Sequence, residues 1–105
     1  MSFSNYDIIH LPIGGQTYRL WVADTPEKRH KGLSGIKSMP QNCGMIFVYK
    51  DDSPRSFTMR NTKIPLNIGF FDKNYQLVHS EKGEPHQDQP VVCDEDCRYV
   101  IEIMG

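Results

Sequence analysis

Apolar residues in this chain come in short runs of strand length separated by turn-forming residues, and only one segment carries the chemistry of a helix start. Ile9, Leu11 and Ile13 alternate along the chain, the Gly14-Gly15 pair follows, and Tyr18, Leu20 and Val22 resume the alternation, which predicts two strands joined by a tight turn. Asp24 or Thr25 then offers an N-cap. Pro26 suits the first helical position because its missing N–H is not needed there, and Glu27 meets the positive end of the helix dipole. Gly32 or Gly35 ends this surface helix, and Leu33, Ile36 and Met39 attach it to the body of the domain. Residues 44–49 (GMIFVY) form a nearly continuous apolar run, the pattern of a strand buried on both faces.

After a turn at Asp51-Asp52-Ser53-Pro54, strands are expected at 56–60, at 68–71 and, beyond the turn Asp72-Lys73-Asn74, at 76–79. Residues 79–98 are polar and contain Pro85 and Pro90, so they read as a long loop of the functional or mobile kind. The final strand, 99–104, places Tyr99, Ile101 and Ile103 on one face and Glu102 on the other. Many short strands and a single helix predict an α+β, mainly β domain. The expected architecture is a small antiparallel sheet curled toward a barrel, with one or two short helices covering an opening. A parallel α/β arrangement is not expected, because crossover helices do not alternate with the strands.

At 105 residues the chain is read as a single domain spanning 1–105, able to bury roughly two-thirds of the surface its unfolded form exposes. Its 38% hydrophobic and 24% charged residues match a soluble globular protein and exclude disordered and membrane-spanning classes. A formal net charge of -1 argues against nucleic acid as a partner, since counterion release needs a basic face. Lys28, Arg29, His30 and Lys31 are consecutive, but on a helix they point in several directions and form a solvated surface. The first fifteen residues lack a positive stretch followed by an unbroken apolar core, and no run reaches bilayer-spanning length. No membrane partner is expected, and the location expected is cytoplasmic. Three cysteines leave at least one thiol unpaired, which suits a reducing compartment, with a Cys93–Cys97 disulfide in an exposed loop as the alternative.

The candidate site is the polar connector within residues 57–72, where Arg60, Asn61, Thr62 and Asn67 lie between two apolar runs, joined by Arg29 from the helix. Arginine offers a planar fork to carboxylate, phosphate or sugar hydroxyls, while Asn and Thr orient a ligand by hydrogen bonds. These five residues are therefore expected to bind a small polar or anionic ligand. The structural reading of the same residues is a side-chain-stapled turn at Asn61-Thr62, with Arg29 paired to Asp24 or Glu102. No nucleophile is paired with a base here and no phosphate loop is present, so no catalytic residue is assigned.

Other chemistry is weaker. His79, His86, Cys93 and Cys97 lack the close ligand pairs of structural zinc sites, and neither a metal nor another cofactor is expected. Cys43 reads as an inert buried thiol, and Met39, Met45 and Met59 as core filler. A hydrolase-like or carbohydrate-active enzyme using Asp24, Asp72 or Glu102 is one alternative, although Asp24 suits a helix cap and Asp72 a turn. A structural accessory domain that binds a protein partner through the loop at 79–98 is the other.

The ordered set ADTPEKRHKGL, GMIFVY, FTMRNTKIPLNIGFFD, a cysteine-bearing loop and YVIEIMG resembles the domain-of-unknown-function family 192, also called uncharacterised protein family 0127. The likeness runs from about Tyr18 to Gly105. It implies a small β-rich α+β domain found in bacteria and archaea, with many members exported behind a signal or lipoprotein sequence, and it brings no established activity. The family pattern is matched at Asp24, Thr25, Arg29, Gly44, Asn61 and Thr62, among others. This chain departs from it at Ser34 and Ile36, at Thr58 where the pattern has tryptophan, and at Asn67 where it has aspartate. An amide cannot deprotonate, so Asn67 implies either a lost reaction or a position that orients a ligand or turn by hydrogen bonds.

Overall fold

A computed structural model of the 105-residue chain describes residues 3–105; Met1 and Ser2, part of the N-terminal stretch weighed above as a leader, lie outside the described residues. β1 (Ile8–Ile13) and β2 (Gln16–Ala23) form the opening hairpin. Its turn places Gly14 and Gly15 at φ of 58° and 85°, in the left-handed region that glycine enters without a Cβ clash. α1 (Pro26–Lys31) starts where the Thr25 hydroxyl accepts a hydrogen bond from the Lys28 amide at 3.2 Å, and stops where the Gly32 amide donates to the Lys28 carbonyl at 3.0 Å. No residue of this one short helix is buried, but the segment after it delivers Leu33 and Met39 into the core.

β3 (Cys43–Phe57), β4 (Leu66–Phe71), β5 (Leu77–Gly83) and β6 (Val91–Met104) complete one six-stranded sheet in the order β1-β2-β3-β6-β4-β5. The sheet is open, with β1 and β5 at its edges, and it is mixed rather than antiparallel. β2 and β3 run parallel, from Arg19↔Cys43 to Ala23↔Phe47, while the other four pairings are antiparallel. A parallel pair needs a long crossover. Residues 24–42, including α1, supply it, so one helix is enough to introduce the parallel step.

Two further expectations are corrected. Asp51-Asp52-Ser53-Pro54 does not turn the chain; these residues continue β3 through a stretch where its register against β6 shifts twice. Irregular pairing of this kind accommodates Pro54, which has no ladder donor. The long loop expected at 79–98 is mostly strand, since β5 runs to Gly83 and β6 begins at Val91. Cys93 and Cys97 are consequently buried free thiols within β6, not loop residues, and Cys43 is also free.

The sheet has two apolar faces. One carries Met45, Phe47, Ile68, Phe70 and Val100, all at most 1% exposed, and is covered by Leu33, Met39, Met59 and Ile64 from the connecting segments. The opposite face buries a smaller cluster of Leu20, Ile46 and Ile101, ringed by half-buried apolar side chains. Gly44 lets β3 and β6 approach closely, because any Cβ there would land on the Glu102 carbonyl.

Candidate functional site

On β6 the alternation anticipated for the last strand holds: Ile101 and Ile103 face the smaller cluster, and Glu102 faces the main core. β6 is central, so Glu102 lies in register with Met45 of β3 on one side and Ile68 of β4 on the other. Its side chain is 4% exposed. Burial pushes the carboxyl up from its ordinary 4.5 to about 8, which leaves it largely protonated at neutral pH. Glu102 forms no hydrogen bond or ion pair with the described residues, yet no sealed side-chain polar atom among them lacks a partner. Its carboxyl oxygens therefore reach open space.

That space is a cavity of about 190 Å³ between α1 and the sheet. Glu102 and Thr62 border it from the protein interior, Tyr49 and Arg29 from the side, and Ser56 and Thr58 near the outer end of β3. Thr62 is 5% exposed, and its hydroxyl has no partner among the described residues. At ~30 Å³ per water molecule the cavity holds about six waters, or one compact organic molecule.

Arg29 is tied down rather than loose. Its Nη1 donates to the Val48 carbonyl at 2.9 Å, and its guanidinium lies 5.0 Å from the centre of the Tyr49 ring. It pairs with neither Asp24 nor Glu102, contrary to the structural reading made from sequence. Arg55 approaches the same ring to 3.7 Å, while donating to the Cys97 carbonyl and pairing with Asp51 at 3.1 Å. Burial pushes the Tyr49 hydroxyl up; Arg55 and Arg29 pull it down, and Cys97 and Glu102 push it up again. Tyr49 thus stays a neutral donor near neutral pH, beside a protonated acid.

Of the five residues singled out from sequence, Arg29 and Thr62 share this cavity. Asn61 and Arg60 are exposed beside it on the connector: the Asn61 carbonyl accepts from the Gly35 amide at 3.0 Å, and the Arg60 carbonyl lies 2.8 Å from Nδ1 of His86. Asn67 is on the other face of the sheet, in register with Ile103 and Lys82. Tyr49, Ser56, Thr58 and Glu102 are the cavity residues with side-chain hydroxyl or carboxyl groups on β3, just after it and on β6 that the site expected from sequence did not include. The readable signal was Glu102, an acid inside an apolar strand run whose neighbour across the alternation, Val100, is also core.

Asp72, weighed as an acid, is a turn residue: its Oδ1 accepts from the amides of Asn74 at 2.8 Å and Gln76 at 3.0 Å. Among the described residues no group of three or more His, Cys, Asp or Glu side chains could hold a metal ion. No helix among them is long and apolar enough to cross a membrane.

A mixed open sheet with one crossover helix and a small polar cavity between them defines a small, mainly β domain. The chain belongs to the DUF192 family (Uncharacterized ACR), whose model matches residues 9–105. Among solved structures it is similar to a Sinorhizobium meliloti 1021 protein provisionally described as a transcription regulator, at 26% identity and a TM-score of 0.79 over 95% of this chain and 80% of that one. It is also similar in fold to a protein of unknown function from Novosphingobium aromaticivorans DSM 12444, at 24% identity and a TM-score of 0.82 over 95% of this chain and 74% of that one. No curated protein matches. Neither the family nor these neighbours carry an established biochemical function.

Proposed function

We propose that this domain binds one compact, oxygen-rich polar ligand in the cavity between α1 and the sheet. The observation that carries the reading is Glu102, a buried carboxyl with no partner among the described residues that borders a space lined by hydroxyls. A carboxyl this deeply buried is poorly hydrated, and that desolvation costs stability. A ligand that supplies the missing hydrogen bonds offsets that cost, and a protonated Glu102 donates where a carboxylate could only accept. Arg29, His30 and Lys31 at the outer wall favour a ligand with acceptor or anionic oxygens, such as a hydroxy acid, over a cation.

Nucleic acid is not part of this reading, because a chain of net charge -1 lacks the excess cations such binding draws on. The free thiols agree with action in a reducing compartment such as the cytoplasm. The sheet's curl, which brings β1 side chains opposite those of β4, is taken as a partial turn toward a barrel.

A second reading is acid–base catalysis on the same ligand, favoured by the one carboxyl whose pKa is raised to about 8, near the operating range of a general acid or base. Binding is tested by amide NMR titration with hydroxy acids, monosaccharides and inorganic phosphate. Shifts are expected around Tyr49, Thr62 and Glu102, and are lost in Glu102→Ala. Binding that persists unchanged in Glu102→Ala, or shifts confined to the far face of the sheet, would refute the proposal.

A further inference from the structure

We propose that the uncovered face of the sheet is a second site, which takes a single medium-chain fatty-acid carboxylate with its tail along an apolar groove and its head at Lys82. This site shares no residue with the polar cavity and does not depend on it.

The helix and the segments carrying Leu33, Met39, Met59 and Ile64 all pack on the main core, so no layer of the described residues covers the other face. There a groove of about 570 Å³ runs between β1 side chains such as Ile9 and Leu11 and the far wall at Phe71 and Tyr75. That size lies within the ~300–1,000 Å³ range of small-molecule sites, and the walls are apolar apart from two tyrosine hydroxyls. Tyr75 stacks on Tyr99 at 5.0 Å and closes the apolar end.

The groove continues into a second hollow of about 360 Å³, with which it shares Ile13, Phe71 and Ile101. The far end of this hollow is polar. Asn67 faces Lys82 in register, Ser80 faces Gly69, and the missing side chain at Gly69 opens the passage between the two ends. From Asn67 to Phe71 the strand rises ~14 Å, the reach of an extended medium-length acyl chain.

At this polar end one cation and two neutral donors stand beside the Glu81 carboxylate. Lys82 supplies a cation, and Asn67 and Ser80 supply further donors, a set that matches a carboxylate. The Lys82 pairing with Glu84 is a 3.6 Å contact between two largely exposed side chains, easily exchanged for a ligand. Glu81, which also borders the hollow, has Oε1 3.1 Å from Nε2 of His79 and forms no ion pair with Lys82 among the described residues. The concavity between β1 and β4 admits a slender chain, whereas the equally concave face of a second copy would not fill it.

Calorimetric titration of the full chain with decanoate, decanol and decylamine, each below its micelle-forming concentration, tests the assignment. Decanoate is expected to bind most tightly, with decylamine at least about ten-fold weaker. Lys82→Glu, at an exposed position, is expected to weaken decanoate by about ten-fold while leaving decanol essentially unchanged. Ile9→Asp, at the groove's rim, should weaken all three. Amide shifts should fall on Asn67, Gly69 and Phe71 and spare Thr62. No decanoate binding, equal affinity for decylamine, an unaffected Lys82→Glu variant, or binding to anionic vesicles without binding of monomeric decanoate would each overturn the proposal.

Discussion

Nη1 of Arg29 donates to the main-chain oxygen of Val48 at 2.9 Å, and this bond joins α1 to β3, the longest strand. The same guanidinium packs at 5.0 Å over Tyr49. Arg29→Ala therefore removes a charge-assisted hydrogen bond and a cation–π contact, and is expected to destabilise the ligand-free domain by ~1–3 kcal/mol. Urea melts check the value. A midpoint equal to that of the wild type would show that the bond does not hold the helix on the sheet.

Glu102 makes stability depend on pH in a defined direction. Between 4.5 and about 8 the folded chain keeps a proton that the unfolded chain has released, so stability falls as pH rises across this window. The contribution is complete below 4.5, where both states are protonated, and the decline ends above about 8, where both are ionised. Its slope reaches at most ~1.4 kcal/mol per pH unit. Glu102→Gln should flatten the decline, as read from denaturant melts across the window; an equal slope in the variant would contradict the buried-acid assignment.

Thr58 is exposed at the outer wall of the cavity. An indole at this position would occupy the space that a ligand needs. Thr58→Trp is expected to abolish ligand binding while changing stability by no more than about 0.5 kcal/mol, as usual for exposed positions. Unaltered affinity in this variant would place the ligand elsewhere.

Gly44 sits against the main chain of β6, where a methyl group collides with the Glu102 carbonyl. Because backbone cannot rotate away as a side chain can, Gly44→Ala is expected to cost about 1–3 kcal/mol through forced strand displacement. Thermal melting tests this, and a neutral effect would mean that the two strands separate more easily than their packing indicates.

Cys93 and Cys97 are buried, and the Cys97 thiol is pushed up to about 11 by burial and by Cys93 beside it, against the pull of Arg55. Since only the thiolate reacts, iodoacetamide at neutral pH should label half-buried Cys43 first and reach the other two only on unfolding. Mass spectrometry of tryptic peptides shows the order. Early modification of Cys97 in the folded chain would contradict its burial.

Local chemistry made much of this fold legible. Gly14-Gly15 announced the hairpin, Thr25 and Pro26 the helix start, and Asp72 the turn before β5, because each depends on neighbours within a few residues. The parallel pairing of β2 with β3 was not legible, since nothing local distinguishes a strand that pairs after a hairpin from one that pairs after a crossover. Polar β5 and β6 residues read as loop because the ladder that orders them lies on other strands. The site was half visible: Arg29 and Thr62 meet at one cavity, while Asn67, five residues beyond Thr62, emerges on the opposite face because β4 carries its side chain there.

The sequence by itself determined the mainly β character, the hairpin, the helix limits and the division of residues 99–104 into two faces, all set by turn chemistry and a side-chain period of two. Only the tertiary structure decided that β6 lies at the sheet's centre, which turns Glu102 from a plain strand acid into a buried, unpartnered carboxyl facing a cavity. Alternation tells which side chains travel together. Which face is then covered, and by what, depends on contacts between segments far apart in the chain.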